Sequence, residues 1–269
     1  MTLKVLTLNI WDLPFWFVKD RKKRIKNLPE YLKKSGADII CLQESFDVEN
    51  RSFLKEQLRG SYMMAGDVIE TRRILFIKLF DMTGGLVVFS KFPITSSRFV
   101  PYSRFLNSAI SETLGRKGFL EVIVETPIGD VKIVNTHMHQ ETHFFSQKIR
   151  FKQTEKMVMK TNNYDKPIIL AGDFNENYLM KEYEFTELFR TTGFSDPSKF
   201  KEGEPISPTY RPENAYVDNF LSRIHSPKRY DYILVKNLDK AGLKVTEYKP
   251  EYLTPPISDH DPLFLTLST

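Results

Sequence analysis

A histidine lies between two aspartates close to the C-terminus, in the segment Ser258-Asp259-His260-Asp261-Pro262. Far upstream, an apolar run closes with Gly172-Asp173-Phe174-Asn175. An imidazole with an ordinary pKa of about 6.5 suits a base near neutral pH. Carboxylate and amide groups at the end of a strand can orient a water molecule or hold a phosphate oxygen. Together these residue types favour hydrolysis of a phosphate ester by metal-activated water.

Other polar side chains also lie at or just after the ends of predicted strands. Asp173 and Asn175 are one residue apart, so in an extended chain both point to the same side. A buried carboxylate such as Glu44 is costly unless it is paired or bound to a cation, and Mg²⁺ favours carboxylates, water and phosphate oxygens. We expect one rim of a sheet sandwich to gather these residues: Asn9, Glu44, His137, Asp173, Asn175, Asp231, Asp259 and His260.

Each of these residues also has a structural interpretation. Glu44 could cap the next helix, Asn9 could end a strand, and Gly172-Asp173 could be an ordinary turn. Lys117 precedes a predicted strand, where it would either place a cation on a phosphate or lie in an exposed basic turn. Asp173 or Asp231, rather than the neighbouring Asp259, is expected to fix the tautomer of His260.

A zinc site is the less favoured metal interpretation. His137, His139 and His143 are closely spaced, but no cysteine or further histidine supports zinc.

The composition indicates a soluble globular protein. The 269 residues are 41% hydrophobic and 27% charged, with one cysteine and a formal net charge of +5. This mild charge permits attraction to phosphates or anionic membranes, and without a concentrated basic stripe nucleic acid is not favoured. No stretch approaches the ~18 apolar residues of a spanning helix. We expect a soluble protein, either cytoplasmic or exported without a visible signal peptide, that makes peripheral contact with membranes.

Predicted strands alternate with predicted helices along the chain. This pattern favours two packed sheets with helices outside, in one domain covering residues 1–269. The strands are predicted at 3–8, 38–42, 84–89, 118–125, 131–136, 167–171, 229–235, 243–248 and 263–267, and the helices at 20–35, 48–58, 145–160 and 179–191; residues 195–228 are expected to be mostly loop.

In this order, the segments resemble the endonuclease/exonuclease/phosphatase superfamily over nearly the whole chain. The resemblance implies an α/β fold, a four-layer α/β/β/α sandwich of the DNase I-like kind, with the site at one rim of the two sheets. A closer resemblance is to the neutral sphingomyelinases. It is carried by residues 6–15, by Leu42-Gln43-Glu44, by residues 85–91, 117–118 and 135–141, by Gly172-Asp173-Phe174-Asn175, and by residues 229–233 and 258–260.

That closer resemblance implies a Mg²⁺-dependent phosphodiesterase of the phospholipase C type, with Mn²⁺ as the alternative ion. The substrate would be sphingomyelin or a related choline phospholipid at a membrane surface, cleaved to ceramide or diglyceride and phosphocholine. Glu44 would bind the metal with Asn9 beside it and Asp259 on the metal and water side. His260 would be the general base, Asp173 would orient the base or its water, and Asp231 would belong to the catalytic set. His137, Asn175 and Lys117 would contact the phosphate.

Three features of this sequence differ from the pattern of the family. Some family members carry aspartate five residues before the lysine, where this chain has Glu112. Animal members end in transmembrane helices, whereas this chain stops at Thr269, and residues 236–257 lack the aromatic hairpin of secreted haemolytic members.

Three other functions are also considered. A repair nuclease would usually have asparagine at the position of His137, and an inositol phosphatase would usually have arginine at the position of Tyr232. A non-catalytic lipid-binding module would need no general base.

An aromatic run follows the first strand. Pro14-Phe15-Trp16-Phe17-Val18 precedes Lys19 and Arg21-Lys22-Lys23-Arg24, and such a combination suits insertion at a lipid interface. We expect Trp16 and Phe17 to contact the lipid substrate. The alternative is that these aromatics fold back into the core under the first helix.

Overall fold

A computed structural model describes residues 1–13, 18–67, 70–74, 77–82, 84–102, 117–140, 146–177, 183–200, 208–217 and 226–269. The predicted lipid contacts Trp16 and Phe17 lie outside these ranges, as do Glu112 and His143. In chain order the strands are β1 (Thr2–Asp12), β2 (Ile39–Ser45), β3 (Met63–Gly66), β4 (Glu70–Ile74), β5 (Ile77–Met82), β6 (Val87–Ser90), β7 (Ile94–Pro101), β8 (Gly118–Thr126), β9 (Gly129–His137), β10 (Ile168–Asp173), β11 (Asp231–Lys236), β12 (Lys244–Pro250) and β13 (Leu263–Ser268).

Two sheets form the centre of the molecule. The first has six strands in the order β12-β13-β1-β2-β6-β3, and the second has five in the order β11-β10-β9-β8-β7. Strands β4 and β5 pair as a separate hairpin. Within the first sheet β1 runs parallel to β2, and within the second β9 runs parallel to β10. Because the carboxyl ends of parallel neighbours meet at one edge, both pairs deliver polar residues to a rim.

Four helices in the described parts of the chain flank the sheets: α1 (Arg21–Lys34), α2 (Val48–Leu58), α3 (Ser146–Thr161) and α4 (Tyr183–Thr192). Apolar side chains of α1 and α2, such as Leu28 and Leu54, pack on one face of the first sheet. Those of α3 and α4, such as Met157 and Phe185, pack on the outer face of the second. The four-layer α/β/β/α sandwich is confirmed.

The inner faces of the sheets meet in a third apolar cluster, made of side chains such as Val5, Cys41, Val122 and Ile169. β1 and β2 are buried over most of their length, and their successive side chains alternate between this inner cluster and the cluster under α1 and α2, because neighbouring residues of a strand point to opposite faces. Among the residues that the structure describes, no helix is long and apolar enough to cross a membrane.

Polar side chains join the two sheets near their common rim. Gln43 on β2 donates from Nε2 to Oγ1 of Thr7 at 3.0 Å and to Oδ1 of Asn135 on β9 at 2.7 Å. Asn135 in turn donates from Nδ2 to the carbonyls of Leu42 and Val87, at 2.8 and 3.0 Å. Buried polar groups stabilise only when they are paired with a definite partner, so these bonds fix how the sheets are aligned beside Glu44.

Candidate active site

Asp173 lies at the centre of the rim because of strand register. It is paired with His137 across the parallel β9–β10 ladder and with Asp231 across the antiparallel β10–β11 ladder. The preceding Gly172 has φ of +143°, and a Cβ there would lie 2.0 Å from the carbonyl oxygen of Thr136. Glycine therefore permits the close approach of β9 that brings His137 beside Asp173.

His260 and Asp231 form a buried acid–base pair. Nδ1 of His260 donates to Oδ2 of Asp231 at 2.8 Å, which leaves Nε2 3.9 Å from Oδ2 of Asp173. Burial alone would lower the pKa of His260, but the carboxylates of Asp231 and Asp173 outweigh it and raise that pKa well above its ordinary value. The pair has the geometry of a general base oriented by a carboxylate, with Nε2 available for proton transfer.

Glu44 and Asn9 come from the first sheet and meet the second sheet here. Nδ2 of Asn9 donates to Oε1 of Glu44 at 3.0 Å and to Oδ2 of Asp173 at 2.9 Å. Nε2 of His137 lies 3.7 Å from each of the same two carboxylate oxygens. The side-chain oxygen of Asn9 accepts from the backbone N–H of Trp11 at 3.0 Å. In this orientation Asn9 presents its amide nitrogen to the acids, and a role as metal ligand requires the amide to rotate.

The acids at this rim outnumber the cations around them. Burial raises the pKa of Glu44 to about 7, and the negative charge of Asp259 adds to the effect. Burial likewise raises the pKa of Asp259. Oε2 of Glu44 accepts no hydrogen bond from the described residues. A buried carboxylate with an unused oxygen, among further carboxylates, fits a divalent cation with oxygen ligands.

A second group of possible metal ligands shares Asp173 with the group formed by Glu44, Asn9 and Asp173. Ligand atoms of Asp173, Asp231 and His260 lie within 4.8 Å of one another. Because Nδ1 of His260 is engaged with Asp231, this grouping is better suited to proton transfer than to holding a metal at all three residues. Asp173 belongs to both groupings and connects the cation side of the rim to the base.

Asn175 and Lys117 converge on one backbone carbonyl. Nδ2 of Asn175 donates to the oxygen of Met138 at 3.1 Å, and Nζ of Lys117 donates to the same oxygen at 2.5 Å. The backbone N–H of Asn175 also donates to Oδ1 of Asp173 at 2.8 Å. Glu44 and Asn175 both adopt positive φ, at +56° and +51°. Such backbone conformations are held by surrounding structure and cluster at functional sites.

The structure brings together the predicted rim residues and Lys117, the other predicted site residue that it describes: Asn9, Glu44, Lys117, His137, Asp173, Asn175, Asp231, Asp259 and His260. Asp259 joins the set through Ser258, whose hydroxyl donates to the carbonyl of Asn9 at 2.7 Å and has its oxygen 3.1 Å from Oδ1 of Asp259. His139 is buried and its backbone N–H donates to Oε1 of Gln153, and among the described residues it is not part of the group of possible metal ligands.

Sequence reasoning missed the contacts supplied by residues 208–217. This stretch falls in the region expected to be mostly loop, and it includes Thr209, Arg211 and Asn214, which contact the strands and loop that carry Asp231 and His260. Single polar residues in a segment without periodicity give no signal of such contacts, because their partners are distant in sequence.

Two curated relatives are named as sphingomyelin hydrolases. The chain is 26% identical over 270 residues to a "putative neutral sphingomyelinase" of Drosophila melanogaster, an alignment that covers 93% of this chain and 55% of the fly protein. It is 25% identical over 295 residues to "sphingomyelin phosphodiesterase 2" of Mus musculus, covering 99% and 65%. The chain thus spans little more than half to about two thirds of the length of these relatives.

Solved structures share the fold at lower identity. Sphingomyelinase C from Streptomyces griseocarneus aligns with a TM-score of 0.71 at 19% identity, over 99% of both chains. A beta toxin mutant from Staphylococcus aureus with bound magnesium ions gives 0.68 at 19% identity, over 98% of this chain and 99% of the toxin. A D. rerio TDP2 complexed with single-strand DNA product gives 0.75 at 16% identity, over 100% and 99%. These likenesses support the fold and leave the substrate open.

A family model matches residues 6–260, an interval that includes every described rim residue named above. Since that interval covers most of the chain, the protein belongs to the endonuclease/exonuclease/phosphatase family.

Proposed function

We propose that this protein is a metal-dependent phosphodiesterase of the phospholipase C type that hydrolyses sphingomyelin or a related choline phospholipid. The observation that carries the proposal is the continuous set of contacts from Glu44 through Asn9 and Asp173 to His260 and Asp231. The names of the fly and mouse relatives supply the substrate class. The products would be phosphocholine and ceramide, or diglyceride from a glycerolipid.

Glu44, with Asp259 and a rotated Asn9 beside it, would hold the divalent cation. The magnesium-bound beta toxin makes Mg²⁺ the first choice, with Mn²⁺, which also takes oxygen ligands, as the alternative. When bound, the cation neutralises charge on the phosphate and on the leaving oxygen. The buried acids of this rim are the part of the chain that would bind this cation, and two of their oxygens, Oε2 of Glu44 and Oδ1 of Asp231, accept no hydrogen bond from the described residues.

The proton-transfer step uses His260. Nε2 of neutral His260 removes a proton from a water molecule held near Asp173, and the water oxygen attacks phosphorus as the bond to the lipid oxygen breaks. The released lipid oxygen takes up a proton from solvent, and His260 returns its own proton to solvent. Asp231 accepts from Nδ1, so it fixes the productive tautomer and stabilises the imidazolium that forms. His137, Asn175 and Lys117 donate to the non-bridging phosphate oxygens, where negative charge accumulates.

A nuclease of the same fold is the second candidate, because the alignment with the DNA-bound TDP2 has a TM-score of 0.75. It predicts DNA cleavage with a steep salt dependence, since each phosphate contact displaces counterions. An inositol phosphatase and a non-catalytic lipid-binding module are less favoured than the nuclease.

Product analysis separates these candidates. The protein is assayed on sphingomyelin, phosphatidylcholine, lysolipids, inositol phosphates and abasic DNA, in EDTA and after addition of Mg²⁺ or Mn²⁺. We expect phosphocholine release from the choline lipid to vanish with chelator and to return with metal, and Glu44→Gln to lower both turnover and metal dependence. DNA cleavage that exceeds lipid cleavage under matched conditions, or full activity in EDTA, would refute the proposal.

A further inference from the structure

The loop that carries His260 has no regular structure of its own. Residues 251–262, between β12 and β13, form no helix and no strand. Nevertheless His260 and Asp259 are buried, at 6% and 8% exposure. A loop without ladder hydrogen bonds keeps one conformation only through contacts with other elements, so the elements that contact it decide where the imidazole lies.

One such element is the stretch of residues 208–217, here called the 208–217 segment. It is anchored first to the chain leading into β11. The backbone N–H groups of Thr209 and Tyr210 donate to the carbonyl of Lys228 at 3.0 and 2.9 Å, and Lys228 donates back to Tyr210 at 2.8 Å. Oγ1 of Thr209 accepts from the backbone N–H groups of Tyr230 and Asp231, at 3.2 and 3.1 Å.

The same segment also holds the His260 loop at three residues. The carbonyl of Thr209 accepts from the backbone N–H of Asp261 at 2.7 Å. Nδ2 of Asn214, whose side chain is buried, donates to the carbonyls of Ser258 and Asp259 at 2.9 and 3.3 Å. The loop is therefore held on both sides of His260.

Arg211 adds a forked ion pair to this loop. Its Nε and Nη2 donate to the two carboxylate oxygens of Asp261, at 2.7 and 3.3 Å. The guanidinium also stacks on the ring of Tyr252, 3.9 Å from its centroid. The planar fork fixes both distance and orientation of the carboxylate, which a point charge does not.

The imidazole itself contacts this region. The ring of Tyr210 meets that of His260 edge-on, with centroids 5.1 Å apart, and the ring of Tyr230 lies 6.3 Å away. Thus the 208–217 segment touches the ring of His260 and binds the backbone on both sides of it. Through Thr209 it also holds the backbone of Asp231, the partner of His260.

We infer that Arg211 and Asn214 are positioning residues, which hold His260 in the orientation that proton transfer requires. Neither is in contact with the site of reaction, and both act through residues 258–261. The inference rests on the proposed function, in which His260 is the base. A misplacement of a reacting group by about 1 Å can lower a rate by about 100-fold, so loss of either contact should lower kcat.

The test compares matched variants on a water-soluble phosphocholine ester and on sphingomyelin in detergent micelles. Arg211→Met removes the ion pair, and Arg211→Lys keeps the charge without the fork. Arg190→Met is the control, since it removes an arginine–carboxylate pair with Glu187 on α4. Asn214→Ala is matched by Asn237→Ala, whose Nδ2 likewise donates to two backbone carbonyls, at 2.9 and 3.3 Å.

We expect Arg211→Met and Asn214→Ala to lower kcat by about 10- to 100-fold with KM within about twofold, since an interaction that acts on chemistry lowers kcat rather than binding. Arg211→Lys should recover part of the loss, and both controls should keep wild-type kcat. Because Arg211 is partly exposed, its variants should remain folded. They therefore test the inference even if Asn214→Ala is unstable.

The His260→Ala background separates this inference from the proposed function. If Arg211 acts through His260, adding Arg211→Met to His260→Ala should change the residual rate by less than about twofold, because the group being positioned is gone. Full additivity, or wild-type kcat in folded Arg211→Met, would overturn the inference while His260→Ala stays inactive. Near-normal turnover by His260→Ala alone would instead overturn the proposed function.

Discussion

Individual residue types carried most of the information about the site. Burying histidine, aspartate or asparagine costs free energy unless the side chain has a partner or a ligand, so these residue types at strand ends predicted a functional site at the rim. The sequence left open whether Asp173 or Asp231 would face His260. In the structure Asp231 accepts from Nδ1 at 2.8 Å, while Asp173 lies 3.9 Å from Nε2. The position of the His260 loop against β10 and β11 distinguishes the two, and that position is a tertiary property.

Asp231→Asn should change the pH dependence of hydrolysis. The carboxylates of Asp231 and Asp173 raise the pKa of His260, so the fraction of neutral base, and with it the activity, rises as pH increases through that pKa. Asparagine removes one of these charges, which lowers the pKa of His260 and moves the rising limb of the profile to lower pH. The limiting kcat should fall by about 100- to 10,000-fold, because the productive tautomer loses its partner.

Profiles of kcat/KM from about pH 5 to about pH 10 measure the shift of the rising limb, and saturating rates measure kcat. Asp130→Asn is the matched control, since Asp130 pairs with Lys166 at 2.7 Å near the start of β9, at the opposite end of that strand from His137. A rising limb at unchanged pH in Asp231→Asn would contradict the assignment of His260 as the base.

At the scale of elements, hydrophobic pattern predicted the long buried strands and all four described helices to within a few residues. β3, β4, β5 and β7 were not predicted. β7 has an exposed stretch from Thr95 to Arg98 and lies at the edge of its sheet, so it lacks the continuous apolar run that marked the central strands. β3 has only four residues and pairs with β6 through its backbone, a contact that sequence periodicity does not reveal.

Glycine at position 172 is predicted to be essential for bringing β9 and β10 together. A Cβ there would lie 2.0 Å from the carbonyl oxygen of Thr136, in addition to the strain of φ at +143°. Gly172→Ala should therefore destabilise the protein by at least about 3 kcal/mol and abolish hydrolysis.

Gly129→Ala provides the comparison. Gly129 also has positive φ, at +99°, but no atom lies within 4 Å of the place that a Cβ would take there. The substitution should cost only backbone strain, about 1–3 kcal/mol, and retain turnover. Urea unfolding of both variants gives the two free energies. Equal losses would show that the close approach to Thr136 contributes nothing.

For the whole molecule, the site depends on the packing of two sheets. Asn9 and Glu44 come from the first sheet, whereas His137, Asp173 and Asp231 come from the second. Gln43 bonds to residues of both sheets and so aligns them beneath the rim. Alternating strands and helices predicted a sandwich, but the sequence did not reveal this polar connection, because its members look like ordinary polar residues in strands. The assignment of residues 1–269 to one domain stays a prediction.

The segment between β1 and α1 gives the last prediction. The aromatic run that contains Trp16 and Phe17 joins β1, which carries Asn9, to α1. Lys22 and Lys23 in the first turn of α1 are exposed, and that turn has no acidic residue. Positive charge at a helix N-terminus is unfavourable, whereas an anionic or zwitterionic lipid surface would offset that cost.

Trp16→Ala combined with Phe17→Ala should therefore weaken action on liposomes and spare a water-soluble phosphocholine ester, because loss of interfacial insertion leaves the chemistry unchanged. We expect the rate on liposomes to fall by about tenfold or more, since burying one aromatic side chain in the lipid would contribute about 1.5–3 kcal/mol to the free energy of membrane binding. Phe53→Ala, which removes an exposed aromatic from α2, is the control. Equal loss on both substrates with a lower Tm would instead show that Trp16 and Phe17 pack in the core beneath α1.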